Sequence, residues 1–117
     1  MAVAVVIVDD NARFRVRARM CLEADGYAVV AEAADARSGL EAARRHRPDI
    51  VLLDIELPDM SGLELAELLT REPGAPAVVL TSTHDAADFG ERVSRSGACG
   101  FVPKGALSGD AISALVP

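Results

Sequence analysis

Apolar residues in this chain gather in five short runs, and each run is followed by a stretch with helical spacing. The first run, Ala2–Val8, ends on Asp9-Asp10. From about Ala12 to Ala24, Phe14, Ala18, Cys21 and Leu22 recur at i, i+4, i+7 and i+8, with Arg13, Arg15, Arg17 and Arg19 mostly off that stripe. This spacing predicts an amphipathic helix, stopped by Asp25-Gly26. Tyr27–Ala33 reads as a second strand. Ala36–His46 reads as a helix with Asp35 as its N-cap and Arg44, Arg45, His46 and Arg47 at its negative C-terminal end.

The third strand is predicted over Ile50–Asp54, followed by a loop to Met60 that contains Pro58. Ser61 and Glu64 then have capping-box spacing at the start of a helix running to about Arg71. Ala77–Ser82 reads as the fourth strand, and Asp85 as the cap of a helix reaching about Ser96, with Ala86, Phe89 and Val93 on one stripe. Gly97 ends that helix, Gly100–Pro103 forms a fifth strand, and a short helix near Asp110–Val116 completes the pattern.

Strands alternating with helices of this length predict βαβ units and a mainly parallel sheet. The strands are near-continuous apolar runs, as a sheet covered on both faces requires. Five such units make an α/β three-layer sandwich; a barrel needs eight. At 117 residues the chain is expected to be one domain over 1–117 with a single core.

Charge narrows the function classes. The formal net charge of −6 argues against direct binding of nucleic acid, which needs clustered Lys and Arg. No apolar stretch approaches the roughly 18 residues of a membrane span, and the N-terminus lacks the basic region of a signal peptide, so a cytoplasmic protein with no membrane partner is expected. Cys21 and Cys99 stand in no metal or redox spacing and read as reduced thiols.

Four runs end on groups that suit phosphate chemistry: Asp9-Asp10, Asp54, Thr81-Ser82 and Lys104, the one lysine present. In an open parallel sheet the ligand crevice lies beyond the carboxyl ends of the strands, so these groups are expected to converge. Two carboxylates about 4 Å apart repel by roughly 4 kcal/mol at an effective dielectric near 20. A hard dication such as Mg²⁺, which prefers oxygen ligands, gives such a cluster a reason to exist. A carboxylate can also attack phosphorus to form an aspartyl phosphate, with Lys and a hydroxyl holding the transferred oxygens. Taken singly, each feature has a structural explanation, for instance Asp9 or Asp10 as a helix cap.

The combined pattern resembles the receiver domain of a bacterial two-component response regulator. The resemblance rests on Asp9-Asp10, the segment from Leu53 to Gly62, the strand ending Thr81-Ser82, and the segment Gly97 to Lys104. It implies a strand order 2-1-3-4-5 with five helices, and phosphorylation of Asp54 by a sensor histidine kinase or phosphotransfer protein. It also implies Mg²⁺ held by Asp10, by Asp9 mainly through water, by Asp54, and by the Glu56 backbone carbonyl, with Lys104 pairing to the phosphoryl group. Family spacing selects Ser82 over Thr81 as the hydroxyl, since Ser82 lies 28 residues after Asp54 and 22 before Lys104. Phe101 matches the aromatic that changes rotamer with the switch. Many receivers have proline after the lysine; here the order is Pro103-Lys104-Gly105. Glu56 and His84 hold positions that the resemblance links to dephosphorylation.

The expected function is therefore a phosphoacceptor switch with at most weak autophosphatase activity. Only 13 residues follow Lys104, too few for a helix-turn-helix. A single-domain receiver is favoured over a fragment of a larger regulator. Output is then expected through protein contacts or a dimer on the face of the fourth helix, fifth strand and fifth helix. The helix after the fourth strand, which contains Gly90, is expected to move. Two other readings are an interaction module that is never phosphorylated and a Mg²⁺-dependent small-molecule phosphatase.

Overall fold

A computed structural model describes residues 2–117. Its strands are β1 (Ala4–Val8), β2 (Ala28–Ala33), β3 (Ile50–Asp54), β4 (Ala77–Ser82) and β5 (Gly100–Pro103). All pair in parallel in the order β2-β1-β3-β4-β5. Helices α1 (Ala12–Ala24), α2 (Ala36–His46), α3 (Gly62–Arg71) and α4 (Arg92–Arg95) lie in the connections, and α5 (Gly109–Leu115) follows β5. The three-layer α/β sandwich and its strand order agree with expectation.

Residue alternation along the strands divides the core into two layers. Val6, Val8, Val51, Leu53, Val78 and Leu80 pack with α2 and α3 on one face. Val5, Ile7, Ile50, Leu52 and Val79 pack with Phe14, Ala18 and Leu22 of α1 and Ile112 of α5 on the other. All five residues of β3 are buried, as the central strand of a covered sheet must be. Pro103, which has no N–H to donate, lies on the edge strand β5 where that costs least.

The helix starts follow capping chemistry. Asn11, rather than Asp9 or Asp10, caps α1 by accepting the Phe14 N–H at 3.1 Å. Asp35 caps α2 through Ser38 N–H at 2.7 Å, and Ser61 caps α3 through Leu63 N–H at 3.2 Å. A second carboxylate, Asp59, accepts the N–H groups of Ala36 and Arg37 at 2.8 and 3.0 Å. The loop after β3 is thereby tied to the start of α2.

One element departs from the sequence pattern. The helix expected from Asp85 to Ser96 is broken: Ala86–Phe89 forms a 3₁₀ turn, and α4 is a single turn from Arg92 to Arg95. Gly90 separates them with φ 57° and ψ −138°, a conformation that cannot continue a helix and that glycine adopts readily. Phe89 and Val93 still rest against the core, half-buried. The apolar stripe was therefore real, while the continuous helix was not.

Gly62 opens α3 directly against β3, and a Cβ there would overlap the Asp54 carbonyl oxygen. Its N–H donates to Ile55 O at 2.7 Å. Gly62→Ala should cost about 1–3 kcal/mol through overpacking against backbone, seen as a lowered midpoint in urea unfolding. An unchanged midpoint would mean that α3 can retreat from β3 without loss.

Candidate functional site

The parallel register brings the expected groups to one end of the sheet. Asp9 follows β1 directly, and its N–H donates to Ala33 O at 2.9 Å. Asp54 ends β3 in register with Thr81 of β4, and Lys104 follows β5 immediately. One carboxylate oxygen from each of Asp9, Asp10 and Asp54 lies within 4.8 Å of the others. Asp9 is fully buried and Asp54 is 3% exposed, whereas Asp10 is exposed.

Lys104 closes this group. Its Nζ lies 2.8 Å from Asp9 Oδ2 and 3.3 Å from Asp54 Oδ2, with the lysine side chain only 12% exposed. Among the described residues, the Lys104 ammonium is the one close polar partner of the buried Asp9 Oδ2. The other carboxylate oxygens are held by backbone: Asn11 N–H donates to Asp9 Oδ1 at 2.8 Å and Glu56 N–H to Asp54 Oδ1 at 3.1 Å. Phe14 adds a further contact, its ring centroid 4.7 Å from Lys104 Nζ. The sequence pattern marked Phe14 only as core. Its relation to Lys104 crosses from one helix to a distant strand end and leaves no local signal.

Burial pushes the Asp54 carboxyl up to about 6, against the lowering effect of the Glu56 N–H, with the Asp9 charge adding to the rise. Burial also works against the Lys104 charge, but its bonds to Asp9 and Asp54 outweigh this and hold its pKa above the usual value. The cluster thus carries more negative than positive charge in little solvent. Three carboxylates share the single nearby ammonium of Lys104, which leaves net negative charge that a further cation would offset.

Ser82 and Thr81 are both fully buried. Ser82 Oγ donates to Glu56 Oε1 at 3.1 Å and accepts the His84 N–H at 3.0 Å. Among the described residues, Thr81 Oγ1 has no hydrogen-bond partner. Glu56 Oε1 also lies 2.6 Å from His84 Nδ1, and this contact holds the Glu56 carboxyl below its usual range. The structure therefore joins Glu56, Ser82 and His84 in one network beside Asp54. Phe101 sits half-buried, its ring 6.2 Å from that of Phe89, which is 6.3 Å from the His84 ring.

These groups border a cleft of about 190 Å³ lined by Asp10, Asn11, Asp54, Glu56, Thr83 and Lys104. That is room for a small inorganic group and little more. A separate hollow of about 350 Å³, between the ends of α2 and α3, holds the Arg44–Glu72 pair and no carboxylate cluster. Thr83, absent from the sequence-based set, lines the cleft because it follows β4 on the same edge.

Residues 5–115 match the family model of the response regulator receiver domain. The chain belongs to that family. Phosphorylation on an aspartate is characteristic of receiver domains. The domain is 33% identical over 111 residues to the transcriptional regulatory protein PdtaR of Mycobacterium tuberculosis, covering 95% of this chain and 54% of that protein. It is 37% identical over 114 residues to a protein-glutamate methylesterase/protein-glutamine glutaminase of Alkalilimnicola ehrlichii, covering 94% of this chain and 29% of that one. The chain thus spans about half, or less, of the length of these relatives. Among solved structures, the signal receiver domain of the response regulator NarL from Mycobacterium tuberculosis superposes with a TM-score of 0.87 at 32% identity, covering 97% of this chain and 94% of that one.

The Asp54 environment sets a pH dependence. Above about pH 6 the buried carboxylate is ionised and its desolvation opposes folding; below about pH 4 it is protonated in both folded and unfolded chains. Its contribution to metal-free stability should therefore rise as pH falls from about 6 to about 4, by on the order of 2–3 kcal/mol. Asp54→Asn should be the more stable protein at pH 7.5, with that part of the slope gone. Thermal unfolding of both proteins across this range, in EDTA, checks the sign. Parallel curves for the two would contradict it.

Proposed function

We propose that this receiver domain is a phosphorylation-dependent switch in which Asp54 accepts a phosphoryl group from a sensor histidine kinase or phosphotransfer protein. The observation that carries the reading is the meeting of Asp54 with Asp9, Asp10 and Lys104 at one end of the sheet. A divalent cation fits there, because three carboxylates offer oxygens within 4.8 Å of one another and share only one ammonium, that of Lys104. Asp10, Asp54 and the Glu56 carbonyl would hold Mg²⁺ directly, with Asp9 acting mainly through water. Bound there, the ion would neutralise carboxylate and phosphoryl oxygens.

The chain's own groups then have separate tasks. An Asp54 oxygen attacks phosphorus, and the leaving group departs with the electron pair of the broken bond. Lys104, already placed by Asp9, Asp54 and Phe14, pairs with a phosphoryl oxygen. Ser82 gives up its bond to Glu56 Oε1 and donates to the phosphoryl group. That movement releases one side of the Glu56–His84 network.

The readout is proposed to run through residues 83–96 to protein contacts, or a dimer, on the α4–β5–α5 face. No residue of the 3₁₀ turn or of α4 is buried, so this segment carries little packing to hold it. Moving a two-state segment from 1:99 to 99:1 takes about 5.5 kcal/mol. Charge-assisted hydrogen bonds at roughly 1.5–3 kcal/mol each are of the right size. No described helix is long and apolar enough to cross a membrane. We place the domain in the cytoplasm, acting without direct nucleic-acid contact.

Incubation with acetyl phosphate and Mg²⁺, read by intact mass, should add one phosphoryl group to wild type and none to Asp54→Asn or to EDTA-treated wild type. Rapid turnover of small phosphate esters would instead support a phosphatase. The absence of any modification would support an interaction module. Amide exchange over residues 83–96 should change when a phosphate mimic binds with Mg²⁺. Exchange indifferent to the mimic would remove this segment from the signalling path.

A further inference from the structure

The four arginines of α1 divide into two pairs. Arg15 and Arg19 both meet Glu32 of β2, at 3.2 and 2.7 Å. Arg13 and Arg17, four residues apart and so on one side of the helix, have no ion-pair partner among the described residues and are exposed. Both line a groove of about 440 Å³ that also includes Phe14, Ser82, Thr83 and Lys104. This groove shares Asn11, Thr83 and Lys104 with the cleft that holds Asp54. The Arg17 guanidinium carbon lies 5.6 Å from the Phe14 ring centroid, which restrains it toward the groove.

Two free guanidinium groups thus border the approach to a carboxylate cluster in a chain of net charge −6. That arrangement favours an anion which must come close to acidic groups. We infer that Arg13 and Arg17 form a subsite for the anionic leaving group of a small acyl phosphate donor. The inference rests on the reading of Asp54 as phosphoacceptor. In the reaction, an Asp54 oxygen forms the bond to phosphorus while the bond between phosphorus and the acyl oxygen breaks. The electron pair leaves with a carboxylate, and no net proton transfer is needed. The departing carboxylate is the group the two guanidinium ions recognise. A phosphoramidate presents the opposite case, since its leaving group is neutral ammonia. A phosphohistidine likewise releases a neutral imidazole.

Donor preference tests this. Rates of phosphorylation by acetyl phosphate and by phosphoramidate, both with Mg²⁺, are compared for wild type, Arg13→Gln/Arg17→Gln, Arg13→Lys/Arg17→Lys and Arg45→Ala. The last removes one exposed arginine at the C-terminal end of α2, as a control for loss of a charge remote from the groove. An exposed ion pair is worth a factor of roughly 1.5–5. The double Gln variant should therefore lose about 5-fold with acetyl phosphate and keep its rate with phosphoramidate. The Lys variant should recover most of the loss, and Arg45→Ala should match wild type. The loss should shrink as salt is raised. Equal effects on both donors, or none on either, would overturn the subsite while leaving Asp54 as phosphoacceptor. If neither donor phosphorylates wild type, the switch reading fails and the subsite fails with it.

Discussion

Two buried carboxylates sharing one ammonium is the arrangement that the rest of this domain must support. Asp9 and Asp54 stand at the ends of adjacent strands, and Lys104 reaches both from a third element. Like charges this close repel by several kcal/mol even at an effective dielectric near 20, and burial adds to the cost. Only a sheet with rigid register and a dry core can hold them there. The two apolar layers supply this rigidity, and the ladder bonds of Asp9 and Ile55 extend it past the strand ends. Asp54 tolerates the position by taking a raised pKa, and Lys104 by gaining partners that outweigh its own burial.

The strands and most helices were legible because their signals are local. A run such as Ile50–Leu53 has one reading in a parallel sheet, and Asp35 or Ser61 before a helix has one chemical use. The convergence of Asp9, Asp10, Asp54 and Lys104 was legible for the same reason, since topology alone sends strand ends to one edge. The helix after β4 was not. Phe89 and Val93 have helical spacing and do meet the core, yet Gly90 between them takes a positive φ that no periodicity reveals. The capping of α1 by Asn11 has a local signature. Asn is as good a cap as Asp, and it stands three residues before Phe14. Asp59 on α2, by contrast, acts across more than 20 residues of chain and has no local signature.

The same separation explains which parts of the molecule are firm and which are loose. The N–H groups of Ile55 and Glu56 fasten the near end of the loop after β3, and Asp59 and Ser61 fasten its far end, so the Glu56 backbone is held beside Asp54. The loop after β4 has no such fastening: its side-chain bonds are those of Ser82 and Glu56 to His84 and of Asp88 to the Asp85 N–H. Ser82 therefore belongs to the rigid sheet while its hydrogen bonds reach into the weakly packed segment. A hydroxyl in that position can pass a change at Asp54 outward, because its partners on the loop side have little else to keep them in place.

The choice of cation at the centre follows from geometry. Eleven of the twelve Lys and Arg residues are arginines, and they serve at the surface, where a flat fork suits a carboxylate, as Arg44 shows with both Nε and Nη2 on Glu72. Position 104 has other demands. Its cation must lie between two carboxylates from different strands and against the face of Phe14, with most of its side chain out of solvent. A guanidinium tends to fork onto a single carboxylate, which would leave the other buried charge alone. An ammonium is a compact charge on a thin stem and can turn its donors toward either oxygen. It can also transfer one of them to a new anion without giving up the remaining contacts. The lone lysine is thus the residue type that keeps both acids paired at rest and remains free to accept a third oxygen.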